Sequence, residues 1–166
     1  MMRRFALLPL LLLLAACGLH PLYGGGSGGQ VAGLLRNVQV GPIEGQPGWL
    51  VRTKLIDRLG ESGEARPQYR LDVTLDDNLT SYGLRADRAA TQERRSLRAR
   101  YQLVDLSNGM VVLDETAGSD ASVDVVSSEY ATVAAEQTAL ENLSGIVADQ
   151  IVTRLAIYAA RTTHRQ

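Results

Sequence analysis

Across 166 residues the chain has a single cysteine, two histidines and a single lysine, and these shortages close several classes of function. Catalysis near neutral pH usually draws on a histidine, a metal cluster or a paired acid and base. His20 lies in a glycine-rich stretch near the start and His164 in the last few residues, so neither is placed to serve a cleft. Without a usable histidine, no Ser-His-Asp or Cys-His set can be assembled. Asp76-Asp77-Asn78 lacks the glycine and the distal glutamate of a calcium loop and reads as a solvated strand end. The run Gly24 to Gly29 lacks the Gly-Lys-Ser/Thr ending that cradles phosphate. No enzyme activity, metal or cofactor is therefore expected.

Long apolar runs are also missing. Phe5 to Leu14 is ten residues long, whereas a helix needs ~20 to span a bilayer. A basic start, Met1 to Arg4, precedes that run, and the small residues Ala15 and Ala16 follow it, which is the three-part layout of an export signal. Leu14-Ala15-Ala16-Cys17 resembles the bacterial lipobox, where the cysteine thiol receives a diacylglyceryl group and the leader is cut just before it. Residues 1–16 are then a lipoprotein signal peptide and Cys17 a lipidation site whose amine is further acylated, with palmitate among the chains. Two or more acyl chains hold a protein stably on a membrane, at ~0.8 kcal/mol per buried methylene. Gly18 stands where an inner-membrane retention signal would typically have aspartate, so the outer membrane, periplasmic side, is favoured.

Removing the leader takes Arg3 and Arg4 with it, lowering 17 basic side chains to 15 against 18 acidic ones, a formal net charge of −3. That balance argues against general nucleic-acid binding. The bases are nearly all arginine, the better bidentate phosphate reader, although a GC-rich genome has the same effect.

Residues 17–33 have the composition of a flexible tether. A single domain is expected over 34–161, followed by a tail at 162–166. Val38 and Val40 alternate with polar neighbours before Gly41-Pro42, which reads as a first strand. From Trp49 to Leu59 a helix has Val51, Leu55 and Leu59 on one face and ends at Gly60. Tyr69, Leu71, Val73 and Leu75 alternate with polar residues, as do Leu97, Ala99, Tyr101 and Leu103, giving two half-buried strands. Ser107-Asn108-Gly109 is a hairpin signal that returns Met110 to Leu113 antiparallel. From Tyr130 to Tyr158 the period changes, with Val133, Leu140, Leu143, Val147, Ile151, Leu155 and Tyr158 marking one stripe of a long helix. The fold class expected is α+β: a two-layer sandwich with a four-stranded mixed sheet and two helices on one face, in the order strand-helix-strand-strand-strand-helix.

One constellation stands out. Arg85, Arg88, Arg94, Arg95, Arg98 and Arg100 fall within sixteen residues, offset by Asp87 and Glu93, around the connection between the second and third strands. Such a cluster can present a focused positive field to a multiply phosphorylated partner. A solvated loop and strand face without a ligand has the same composition, and both readings stay open on charge alone.

The stretch Cys17-Gly18-Leu19-His20-Pro21-Leu22-Tyr23-Gly24 resembles the mature amino terminus of the LptE lipopolysaccharide-assembly lipoprotein family, especially its alphaproteobacterial branch. There an aromatic, a variable residue and Pro-Leu-Tyr-Gly typically follow the cysteine and glycine, and Leu19 departs from the aromatic. The strand order and the alanine-rich last helix are compatible with that family. The resemblance implies the plug subunit of the outer-membrane lipopolysaccharide translocon. Such a subunit sits in a large β-barrel partner, assists that barrel's assembly and binds lipopolysaccharide on its way to the surface. No single arginine carries over by motif, so the six named above are lipopolysaccharide contacts on charge only. The alternative is a periplasm-facing lipoprotein accessory of another transport or envelope-assembly complex, making protein contacts only. A lipid-anchored hydrolase is disfavoured by the missing nucleophile and base.

Overall fold

Alternation and periodicity translate directly into the observed elements. The computed structural model describes residues 29–60, 66–84 and 90–163. In chain order they form α1 (Gln30–Arg36), β1 (Val38–Val40), α2 (Gly45–Leu59), β2 (Tyr69–Leu84), β3 (Ala90–Asp105), β4 (Val111–Asp124) and α3 (Glu129–Thr163). The sheet runs β1-β2-β3-β4, with β1 parallel to β2 and the other neighbours antiparallel. This is the expected α+β mixed sheet, with one addition. The short helix α1, which reaches back to Gln30 and buries Leu35, is not foreseen by the glycine-rich composition around it.

Register explains why one face of the sheet is covered. Leu71 lies opposite Leu103, Val73 opposite Tyr101 and Leu75 opposite Ala99, so the apolar members of β2 and β3 share a face. Helix α2 lays Val51, Leu55 and Leu59 on that face and stops at Gly60, whose φ of 66° is the left-handed turn that glycine adopts without strain. Arg52 fastens its first half, donating from Nε to the Gly41 carbonyl at 3.2 Å and from Nη2 to the Val40 carbonyl at 3.4 Å.

The β3–β4 connection follows the local chemistry of Ser107-Asn108-Gly109. Asp105 Oδ1 accepts from the Ser107 amide (2.8 Å) and hydroxyl (2.6 Å), and Asn108 Oδ1 accepts from the Met110 amide (2.9 Å). Gly109 takes φ 72° and donates to the Asp105 carbonyl at 2.8 Å.

Helix α3 is 35 residues long and crosses beneath the sheet. Leu140, Leu143, Val147, Ile151 and Leu155 are all buried, and Ala148, Ala156 and Ala159 are buried beside them, letting the helix sit close. By length and composition it could cross a bilayer, but half of its most apolar window is buried inside the protein, as befits a core helix. Val133 does not belong to the stripe: it is 55% exposed, and Tyr130 is 85% exposed, because the first turns of α3 stand clear of the apolar core. Tyr158 meets Tyr69 edge to face, with ring centroids 6.5 Å apart. Tyr101, fully buried, donates its hydroxyl to Glu115 (3.4 Å), and desolvation pushes that phenol up to about 12.

Candidate functional site: the arginine-bearing sheet

The arginines singled out by the sequence are divided by the pleat. Along β3, Leu97, Ala99, Tyr101 and Leu103 face the helices, so Arg94, Arg98 and Arg100 face the open side and Arg95 faces inward. Arg85, Arg88 and the lipidation candidate Cys17 lie outside the described residues.

Arg95 is a packing residue of the sheet–helix interface. It donates from Nε to Asp77 Oδ1 at 2.9 Å, from Nη2 to Asp77 Oδ2 at 2.6 Å and from Nη1 to the Glu136 carbonyl of α3 at 3.0 Å. The two charged side chains are only 15% and 18% exposed. Hydrogen bonding to Asp77 holds the guanidinium more firmly protonated than usual. Arg95 is thus separated from Arg94 and Arg98, which lie on the other face of the sheet.

On the open face two ion pairs join β3 to β4, while Arg70 and Asp72 pair within β2 at 2.9 Å. Arg98 donates to the Ser119 carbonyl (2.8 Å) and to both oxygens of Asp120 (3.0 and 2.8 Å). Its side chain lies across Gly118, where an added Cβ would meet Arg98 Cδ at 2.4 Å. Arg100 grips Asp114 with two bonds (3.2 and 2.9 Å), and Gln102 adds a third (2.9 Å). Those bonds, Arg100 first, pull the Asp114 carboxyl down to about 2. Asp120 is likewise lowered, first by Arg98 and then by Ser96. Arg94 stacks its guanidinium 5.5 Å from the centre of the Tyr82 ring, and Tyr82 reaches Ser122 through its hydroxyl at 3.2 Å.

By register, the open face of β2, β3 and β4 holds four guanidinium groups (Arg70, Arg94, Arg98, Arg100) and five carboxylates (Asp72, Asp76, Asp114, Asp120, Asp124). Over the described strands the arginines are therefore part of a balanced, cross-linked surface. Charge clustering along β3 hid this, because the neutralising acids arrive from β2 and β4.

Two features of the site have no signature in the sequence. Gln150 of α3 accepts from the Gly118 amide (3.0 Å) and donates to the Gly118 carbonyl (3.3 Å), closing the free edge of β4 at that point. To either side a groove runs between β4 and α3, of about 540 Å³ towards Arg154 and about 500 Å³ towards Val126.

Comparisons place this architecture among known proteins. The LptE lipopolysaccharide-assembly family matches residues 35–155. A candidate lipoprotein from Caulobacter crescentus is 26% identical and superposes with a TM-score of 0.64, over 78% of this chain and 96% of that one. Rare lipoprotein B from Shewanella oneidensis shares the fold at 10% identity and TM-score 0.59, over 76% and 98%. Lipoprotein B from Nitrosomonas europaea does so at 12% and 0.56, over 80% and 90%. No curated protein matches the sequence. With the whole sheet, its hairpin and most of the last helix inside the matched span, the chain belongs to the LptE family of lipopolysaccharide-assembly lipoproteins.

Proposed function

We propose that the chain is the plug subunit of an outer-membrane lipopolysaccharide translocon, held in the membrane by acyl chains on Cys17 and seated in a large β-barrel partner. It assists assembly of that barrel and hands lipopolysaccharide towards the cell surface, without catalysing a reaction. The family match over residues 35–155 carries this reading, and the Cys17 to Gly24 segment supports it. A polar, charge-balanced sheet face suits a barrel lumen, which is itself polar.

Lipid phosphates are read by Arg94 together with Arg85 and Arg88 of the β2–β3 connection. Arg94 is held by a ring and not by a carboxylate bridge, so its donors are available. Arg98 and Arg100 contribute only by exchanging their aspartates, and Arg95 does not contribute. The test is purification from detergent-solubilised outer membranes: a plug comes out in stoichiometric complex with one large barrel. Recovery as a free lipoprotein, or with a different envelope complex, would reject the assignment.

A further inference from the structure

Helix α3 is held to the sheet by two different chemistries. From Leu140 to Leu155 the contact is apolar and buried, whereas Tyr130 and Val133 in the first turns are exposed. What joins those turns to the distal parts of β2 and β3 is polar: Asp77 and Ser81 from β2, Glu93 and Arg95 from β3, and Glu136 from the helix. A segment with few buried apolar contacts is the first to open.

Within this cluster the donors run out before the acceptors do. Ser81 donates its hydroxyl to Glu93 Oε1 at 3.0 Å, and Arg95 is taken up by Asp77 and by the Glu136 carbonyl. Glu93 Oε2 is buried, and the Glu136 side chain is what reaches this carboxyl from the helix. Two carboxylates are both acceptors, so a bond between them requires that one carry a proton. Burial first, then the bond to Glu93, raises the Glu136 pKa, while Arg95 opposes the rise.

The surrounding elements do not neutralise the pair. From β2 it is faced by Asp77, which Arg95 already bridges. On the same face β4 presents Ser119, Ala121 and Val123, none of them charged. Thr132, Val133, Ala139 and Leu140 flank Glu136 at helical spacing on α3. Helix α2 reaches this part of α3 through Gln46, which donates to Gln137 at 3.0 Å, and Glu44 before it is exposed. With both glutamates ionised, one guanidinium faces three carboxylates.

We infer that Glu93 and Glu136 form a proton-operated latch, which holds the first turns of α3 on the β2–β3 hairpin while the two carboxyls share a proton and releases them when it is lost. Release leaves the helix packed on the core from Leu140 onward and uncovers Val123, a buried residue opposite Glu93 in the β3–β4 register. The closed form binds the proton more tightly than the open one, so closing is favoured at low pH and is lost as pH rises through the range where the pair gives it up. All the contacts lie within this chain, so the latch stands or falls apart from the plug reading.

The test follows amide hydrogen exchange of the full mature chain in detergent by mass spectrometry, with rates corrected for the intrinsic pH dependence of exchange. Expected is at least a tenfold loss of protection over residues 129–136 between pH 4 and pH 7, while residues 143–155 keep theirs. Glu136→Gln, whose amide donates to Glu93 at every pH, should keep 129–136 closed at pH 7 and abolish the dependence. Glu93→Gln should do the same from the sheet side, so a folding defect in one variant does not decide the matter. In the wild-type chain, a carbon-13 titration of the carboxyls should show one member of the pair ionising above the ordinary glutamate range. Protection over 129–136 that is unchanged by pH, an equal pH response in Glu136→Gln, or loss over 143–155 in step with 129–136 overturns the inference. Ionisation of both carboxyls in the ordinary range does so too.

Discussion

Arg95 and Asp77 pair across β3 and β2 on the helix side of the sheet, where the apolar core gives way to charge. Both side chains are mostly buried, and the guanidinium also holds the Glu136 carbonyl, so one residue ties two strands to α3. Removing one partner of such a pair leaves the other desolvated without compensation. Arg95→Gln should lower stability by about 2 kcal/mol, measured by urea denaturation, whereas Arg94→Gln on the open face should leave it unchanged. A double-mutant cycle with Asp77→Asn should show strong coupling. Additive effects would mean the pair is not a unit.

Gly118→Ala tests the crossing of Arg98 over β4. The new methyl would lie 2.4 Å from Arg98 Cδ and 3.0 Å from the Leu97 carbonyl, so the arginine must leave its place over the strand. Asp120 then loses the first cause of its lowered pKa, and its carboxyl should titrate closer to the ordinary aspartate range in an NMR pH series. Overpacking of this kind costs about 1–3 kcal/mol.

Acid titration should report two opposing groups. Asp114 sits at about 2 in the folded protein against an ordinary 3.8, so its contribution is present above pH 4 and is lost as pH falls towards 2. Arg100→Gln should flatten that part of the stability profile. Glu136 behaves in the opposite sense: burial, then a hydrogen bond with Glu93, raises its pKa, so folding gains from it as pH falls through that range. Glu93 Oε2 is buried with no other partner among the described residues. Glu136→Gln, whose amide donates at every pH, should therefore raise the melting temperature at pH 7 and not at pH 4.

Ile151→Asp places a carboxylate at a fully buried position midway along the α3 stripe. An unpaired buried charge costs several kcal/mol, comparable with the whole stability of a small domain. The variant should unfold or be degraded in cells. A melt like that of wild type would show that the stripe is not core.

Cys17→Ala should abolish incorporation of labelled palmitate and block processing before residue 17, since the thiol is the acceptor. Continued labelling would remove the lipoprotein assignment of this residue. Exported from an ordinary leader, the unlipidated chain should retain some barrel assembly, because a plug is also held by its barrel.

Period and alternation along the chain determined most of the architecture. The Val51-Leu55-Leu59 spacing, the alternation from Tyr69 and from Leu97, the Asn108-Gly109 turn and the Leu140 to Leu155 stripe each state a local geometry that burial of one face then enforces. The same signal failed beyond Asp76 in β2 and before Leu97 in β3. There the helix-facing positions Asp77, Ser81, Glu93 and Arg95 outnumber the apolar Leu79, so the alternation fades and strands of 16 residues each look shorter. The candidate site was legible only as a count of arginines. Which arginine is spent on Asp77, Asp114 or Asp120, and which rests on an aromatic ring, depends on partners 12 or more residues away in sequence. Strand pairing alone brings those residues within bonding distance, and a charge acts through its neighbours in space, so only the tertiary structure could decide it.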